Sequence, residues 1–137
     1  MATAETEQLS RMLTGVALSR AICTIEGNFF ESVPPGADAY LMRHIIHDWT
    51  DEQSVRILSN CRKVIPAHGR VLLVEFAVPA ANQASLGKDA DMIMLTFPGG
   101  MERTDNEYQA LFEQSGFHLN TVTKTKSSVC VIEGRPV

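Results

Sequence analysis

The sequence is short of several things, and each shortage excludes something. It has three cysteines in 137 residues, Cys23, Cys61 and Cys130, and no C-x-x-C pair. Neither a thiolate metal site nor a disulfide framework is expected from that count and spacing. The pattern suits buried thiols in a reducing cytoplasm. Positive charge is scarce: 12 Lys and Arg stand against 16 Asp and Glu, for a net charge of −4. Phosphate binding leans on clustered Lys and Arg, so nucleic acid is not the expected partner. No apolar run approaches the roughly 20 residues that span a bilayer, so no membrane partner is expected. The polar start MATAETEQLS lacks the basic and apolar regions of a secretory signal, so the expected location is cytoplasmic. No internal repeat, low-complexity tract or G-x-G-x-G motif occurs anywhere.

What is present is the composition of a globular domain, 45% hydrophobic and 20% charged, in a chain long enough to bury a core. Leu9, Met12, Leu13, Val16 and Ala17 recur at helical spacing over 5–18. Residues 21–26 read as a short strand ended by Gly27-Asn28, and 32–36 as a Pro/Gly turn. Residues 38–46 read as a mostly buried strand. Thr50 and Gln53 form a capping box ahead of a helix that Pro66 and Gly69 end. The run at 70–77, RVLLVEFA, reads as a strand covered on both faces. A weaker helix is expected over 84–96. After Gly99-Gly100, Thr104 and Glu107 form a second capping box, and Gly116 stops that helix. Two closing strands, about 117–124 and 128–134, read as an antiparallel hairpin. Strands alternating with helices point to an α/β fold around a parallel sheet, with ligands at the carboxyl ends of the strands.

The unusual polar groups gather at those ends. His47 stands in His47-Asp48-Trp49, and a histidine there is either a satisfied structural residue or a general base. Glu75 lies inside an apolar run, where a carboxylate is costly unless it is paired, unless the strand has already left the core. Glu102 and Arg103 follow the Gly-Gly turn, where exposed charges are ordinary. H-x-x-H-D is not the helical H-E-x-x-H signature, and on a strand residues three apart face opposite ways. No metal is therefore expected on His44, His47, Asp48 and Glu75.

RHIIHDWTDEQSVRILSNCRKVIPAHGRVLLVEF and the later PGGMERTDNEYQALFEQSGF together resemble the class I SAM-dependent O-methyltransferases. The likeness is to the plant caffeic acid, isoflavone and hydroxyindole type and its bacterial relatives in natural-product pathways. GNFFESVPPGADAYLMRHIIHDW looks like that family's third strand, turn and fourth strand. The resemblance covers about residues 20–137 and divides the chain into an N-terminal helical segment, 1–19, and the C-terminal half of the family's catalytic domain, 20–137. It implies an incomplete Rossmann-like sheet, with the family's third to seventh strands and the seventh between the fifth and sixth.

The resemblance also implies roles. His47 matches the base that takes the proton from the acceptor hydroxyl, and Glu75 and Glu102 match the two acids that flank it. Asn28 and Phe29 match the pair that holds the adenine of SAM, with Asn28 where the family usually has Asp. Arg43 matches a position near SAM that is often Lys. Asp91, Ile93 and Met94 match a helix that lines the acceptor pocket. The cofactor implied is S-adenosyl-L-methionine, and the acceptor a small hydroxylated aromatic or polyketide-like molecule.

The family's N-terminal helical domain and glycine-rich SAM loop have no counterpart among these residues. The chain is therefore expected to be a truncated methyltransferase or an inactive remnant that binds or regulates. An unrelated α/β protein with coincident motifs is the third reading. Losing the first two strands would expose sheet edges, so a rearrangement is expected: direct pairing of the third and fourth strands, a homodimer, or pairing with an intact family member.

Overall fold

The computed structural model describes residues 26–78, 100–127 and 129–137. The expected helices at 5–18 and 84–96, the strand residues 21–25, and Cys23, Asp91, Ile93 and Met94 lie outside the described residues. The described elements run in the order β1 (Ala39–Arg43), a single 3₁₀ turn (Ile46–Asp48), α1 (Asp51–Val64), β2 (Arg70–Phe76), α2 (Asp105–Gln114), β3 (Phe117–Lys124) and β4 (Val129–Pro136). The four strands make one sheet in the order β1-β2-β4-β3. β1 and β2 are parallel, joined through α1, whereas β4 is antiparallel to both β2 and β3. This is the α/β class expected, and the second strand of the closing hairpin is the one inserted beside β2.

Both helices start as the sequence indicates. Gln53 N–H donates to Thr50 Oγ1 and Thr50 N–H to Gln53 Oε1; Glu107 N–H donates to Thr104 Oγ1 and Thr104 N–H to Glu107 Oε2. Each box satisfies two of the N–H groups a helix start leaves unpaired. Ile57, Leu58 and Cys61 of α1 and Tyr108, Leu111 and Phe112 of α2 are buried with Val71 and Leu73 of β2, Phe117 of β3 and Ile132 of β4. Cys61 and Cys130 are free and buried, and burial pushes the Cys61 thiol up to about 12.

Two expectations need correction. The strand expected over 38–46 stops at Arg43, because His44 adopts a left-handed backbone (φ +51°) that turns the chain out of the sheet. Among the described residues, the strand expected to be covered on both faces is fully buried on one. In β2 full burial alternates: Val71, Leu73 and Glu75 are buried, whereas Leu72, Val74 and Phe76 are partly exposed. β4 matches this phase, with Leu73 opposite Ile132 and Val71 opposite Gly134. Among the described residues, no helix is long and apolar enough to cross a membrane.

Gly134 shows how tightly α2 sits on that face. A Cβ there would stand 2.6 Å from Phe112 Cε1 and 2.7 Å from Cζ, so the ring or the strand would have to shift. Gly134→Ala should lower the unfolding free energy by about 1–3 kcal/mol, the usual cost of overpacking, read from urea denaturation. An unchanged midpoint would mean that Phe112 moves aside freely.

Candidate active site

The site is built where β1 leaves the sheet. His44 N–H still donates to Val74 O at 3.1 Å. The next two N–H groups cannot continue the ladder, and both donate to one carboxylate oxygen: Ile45 N–H to Glu75 Oε1 at 3.0 Å and Ile46 N–H to the same atom at 2.9 Å. Glu75 has no exposed surface, so this pairing answers the desolvation of its charge. The expected partner, His47, is farther away, with Nδ1 3.6 Å from Glu75 Oε2. The carboxylate therefore anchors the turn first and faces the imidazole second.

The 3₁₀ turn then presents His47, only 9% exposed. Its Nδ1 lies 3.0 Å from Glu102 Oε1. Against an ionised Glu102, Nδ1 is the donor of this contact, and a neutral ring in that tautomer keeps its lone pair on Nε2. Glu102 is held by its own segment: Met101 N–H donates to His47 O at 2.8 Å, and Arg103 bridges in parallel to Ala77. Asp48 Oδ1 stands 3.3 Å from His47 Nε2. Burial disfavours the imidazolium, but the hydrogen bond to Glu102 and the charges of Glu75, Asp48 and Glu102 outweigh it, so the pKa is held above the ordinary 6.5. Burial raises the Asp48 carboxyl, and Glu75 adds to that against the pull of His47 and His44. A proton arriving on Nε2 thus meets a carboxyl within reach, on a ring whose other nitrogen is already fixed.

The structure brings together His47, Glu75 and Glu102, the three residues matched to the base and its flanking acids. Of the other matched residues, Asn28, Phe29 and Arg43 are described. Asn28 opens a turn in which its Oδ1 accepts from Phe30 N–H at 3.0 Å and its Nδ2 donates to Glu31 Oε1 at 3.1 Å. The Phe29 ring is buried, with Phe30 4.8 Å and Trp49 6.0 Å away between centroids. Arg43 ends β1, exposed. Sequence reasoning gave no role to Asp48 and took Arg103 for a surface charge, although Arg103 is fully buried. The available signal was its place between Glu102 and the N-cap Thr104.

His44, His47 and Glu75 offer ligand atoms within 4.8 Å of one another. The argument that residues 44 and 47 face opposite ways is therefore corrected, since they lie on a turn rather than a strand. His47 Nδ1 lies on Glu102 and Glu75 Oε1 on the backbone, whereas His44 Nδ1 and Glu75 Oε2 are buried without a hydrogen-bond partner among the described residues. His44 Nδ1 lies 3.6 Å from Glu75 Oε2.

Residues 7–118 match the model of the O-methyltransferase domain. The chain belongs to this family. It is 42% identical over 114 residues to the phenazine O-methyltransferase PhzM of Lysobacter antibioticus, covering 83% of this chain and 33% of that protein. Over 116 residues it is 45% identical to caffeic acid 3-O-methyltransferase 3 of Populus kitakamiensis, covering 81% of this chain and 32% of that protein. The SAH-bound crystal structure of CalO1, a methyltransferase in calicheamicin biosynthesis, superposes with a TM-score of 0.79 at 44% identity, covering 82% of this chain and 34% of that one. The chain thus spans about a third of the length of the curated relatives it matches.

The electrostatics give a direct check. The His47 imidazole should titrate with a midpoint above 6.5 in NMR spectra of the folded chain, and Glu102→Gln should move that midpoint to lower pH, because it removes a charge from the ring. A midpoint unmoved by that change would place the proton-holding interaction elsewhere.

Proposed function

We propose that this chain carries the hydroxyl-activating part of a SAM-dependent O-methyltransferase acting on small hydroxylated aromatic or polyketide-like acceptors. The observation that supports the reading best is the position of His47, with Nδ1 3.0 Å from Glu102 Oε1, which would leave Nε2 to accept a proton. A neutral hydroxyl is a poor nucleophile. His47 Nε2 takes its proton as the oxygen forms its new bond to carbon, and Asp48, Glu75 and Glu102 stabilise the imidazolium that results. Glu75 keeps the turn closed, so the ring needs no rearrangement during the reaction. SAM, when bound, would supply the methyl group from its sulfonium, the carbon–sulfur bond breaking to leave S-adenosylhomocysteine.

The described residues fit part of such a cofactor. Asn28 Oδ1 already accepts one bond and has a further lone pair to offer an adenine amino group, and Arg43 presents a cation at the end of β1. Phe29 would act through the packing that fixes the turn rather than through an exposed ring. Asp91, Ile93 and Met94 are proposed to line the acceptor pocket. The phenazine and caffeic acid enzymes among the relatives support an aromatic acceptor.

Because the base must be neutral to act, methyl transfer should fall as pH drops through the raised pKa of His47. The rate is to be followed with labelled SAM and a panel of hydroxylated aromatics. His47→Ala should lower it about 10²–10⁴-fold while calorimetry still shows micromolar binding of S-adenosylhomocysteine. Undiminished transfer in that variant would contradict the base assignment. A folded chain that neither binds S-adenosylhomocysteine nor transfers methyl would contradict the enzymatic reading and favour a binding or regulatory module, in a homodimer or with an intact family member.

A further inference from the structure

Arg103 has no exposed surface, and its guanidinium bonds with the turn that carries His47, with the residue that opens α1, and with its own segment. Nη1 donates to Ile46 O at 3.0 Å and, more weakly, to Met101 O at 3.4 Å. Nη2 donates to Trp49 O at 2.8 Å and Asp51 Oδ1 at 2.8 Å, and Nε donates to the same Asp51 oxygen at 2.9 Å. Ile46 and Trp49 lie on either side of His47-Asp48. Glu75 holds the N–H groups at the start of this turn, so the loop is clamped between a buried anion at its donors and a buried cation at its acceptors. Arg103 also directly follows Glu102, so one backbone unit fixes both the carboxylate that meets His47 Nδ1 and the cation that fixes the loop.

We propose that Arg103 is a positioning residue for the base, locking residues 46–49 so that His47 Nδ1 stays on Glu102 and Nε2 stays beside the partly exposed Asp48. This inference rests on the reading of His47 as the base. A planar guanidinium spreads five donors over a rigid fork and here meets three carbonyls and a carboxylate, whereas a lysine ammonium gathers three donors at one point. A buried arginine with its donors so distributed is also costly to leave unpaired, which accounts for its place one residue before the N-cap, where α2 leaves the segment.

The groups that face His47 are His44 and Asp48 from its own loop, Glu75 from β2, and Glu102 beside Arg103. Behind them stands Tyr108 of α2, whose phenol is raised well above 10 by burial and then by the two acids, against Arg103. It stays neutral throughout the titration of His47.

Arg103→Lys keeps the charge and removes the geometry, so a change at His47 reports positioning rather than charge. In the full chain, the His47 midpoint should fall by about 0.5 pH unit or more as the bond to Glu102 loosens, and the low-field Nδ1 proton signal should broaden or vanish. Asn60→Ala breaks a buried hydrogen bond to Phe29 O and loses stability; although the Phe29 ring packs near Trp49, no hydrogen bond of residues 46–49 is removed, so both readouts should stay unchanged. If Arg103→Lys does not fold, Asp51→Ser removes the exposed end of the clamp. Measured at about 0.5 M salt, where the lost surface charge is screened, it should shift the midpoint in the same direction by less. A folded Arg103→Lys chain with the wild-type midpoint and signal would overturn the proposal, as would an equal shift in Asn60→Ala. None of these readouts requires turnover, so failure of the clamp and failure of the base assignment are seen separately.

Discussion

A carboxylate with no exposed surface receives two consecutive backbone N–H groups, and the rest of the site depends on that contact. Taking an ion out of water costs several kcal/mol unless hydrogen bonds replace its hydration. Glu75 meets that cost with the N–H groups of Ile45 and Ile46, which are free only because His44 has turned out of the ladder at φ +51°. The strained residue, the strand end and the buried acid are one arrangement. Replace Glu75 with an apolar residue, and two buried donors lose their acceptor while His44 loses its reason to leave the extended region.

From that anchor the chemistry of the loop follows. The 3₁₀ turn carries His47 to Glu102, which arrives from a segment 55 residues later in the chain. Three acids then surround one imidazole, and their combined effect exceeds the burial that would keep the ring neutral. An imidazole raised in this way holds a proton more firmly but needs a higher pH to be free, the compromise that any general base faces. Arg103 closes the loop from its carbonyl side, so both poles of a short irregular segment are occupied by charges of the matching sign.

Much of this was legible in the sequence because it rests on local chemistry. Thr50 with Gln53 and Thr104 with Glu107 announce helix starts, since a capping box is written within four residues. The strand Phe117–Lys124 and the apolar run at 70–76 follow from period and composition. The meeting of His47, Glu75 and Glu102 was reached through the resemblance, because nothing local connects residues 47, 75 and 102. The end of β1 was missed because LMRHII reads as a continuous strand until one knows that Glu75 competes for its N–H groups. Arg103 was missed for the same reason: its partners Ile46, Trp49 and Asp51 lie more than fifty residues away, and a backbone carbonyl leaves no mark in the amino-acid code.

The central claim is that this fold holds His47 as a ready acceptor at Nε2. The ¹⁵N chemical shifts of the His47 ring, taken in the folded chain at a pH above its titration midpoint, test it most directly. The account predicts a protonated Nδ1 and a bare Nε2. A neutral ring with its proton on Nε2 would contradict it, since that nitrogen would then have no lone pair with which to take a proton from a hydroxyl.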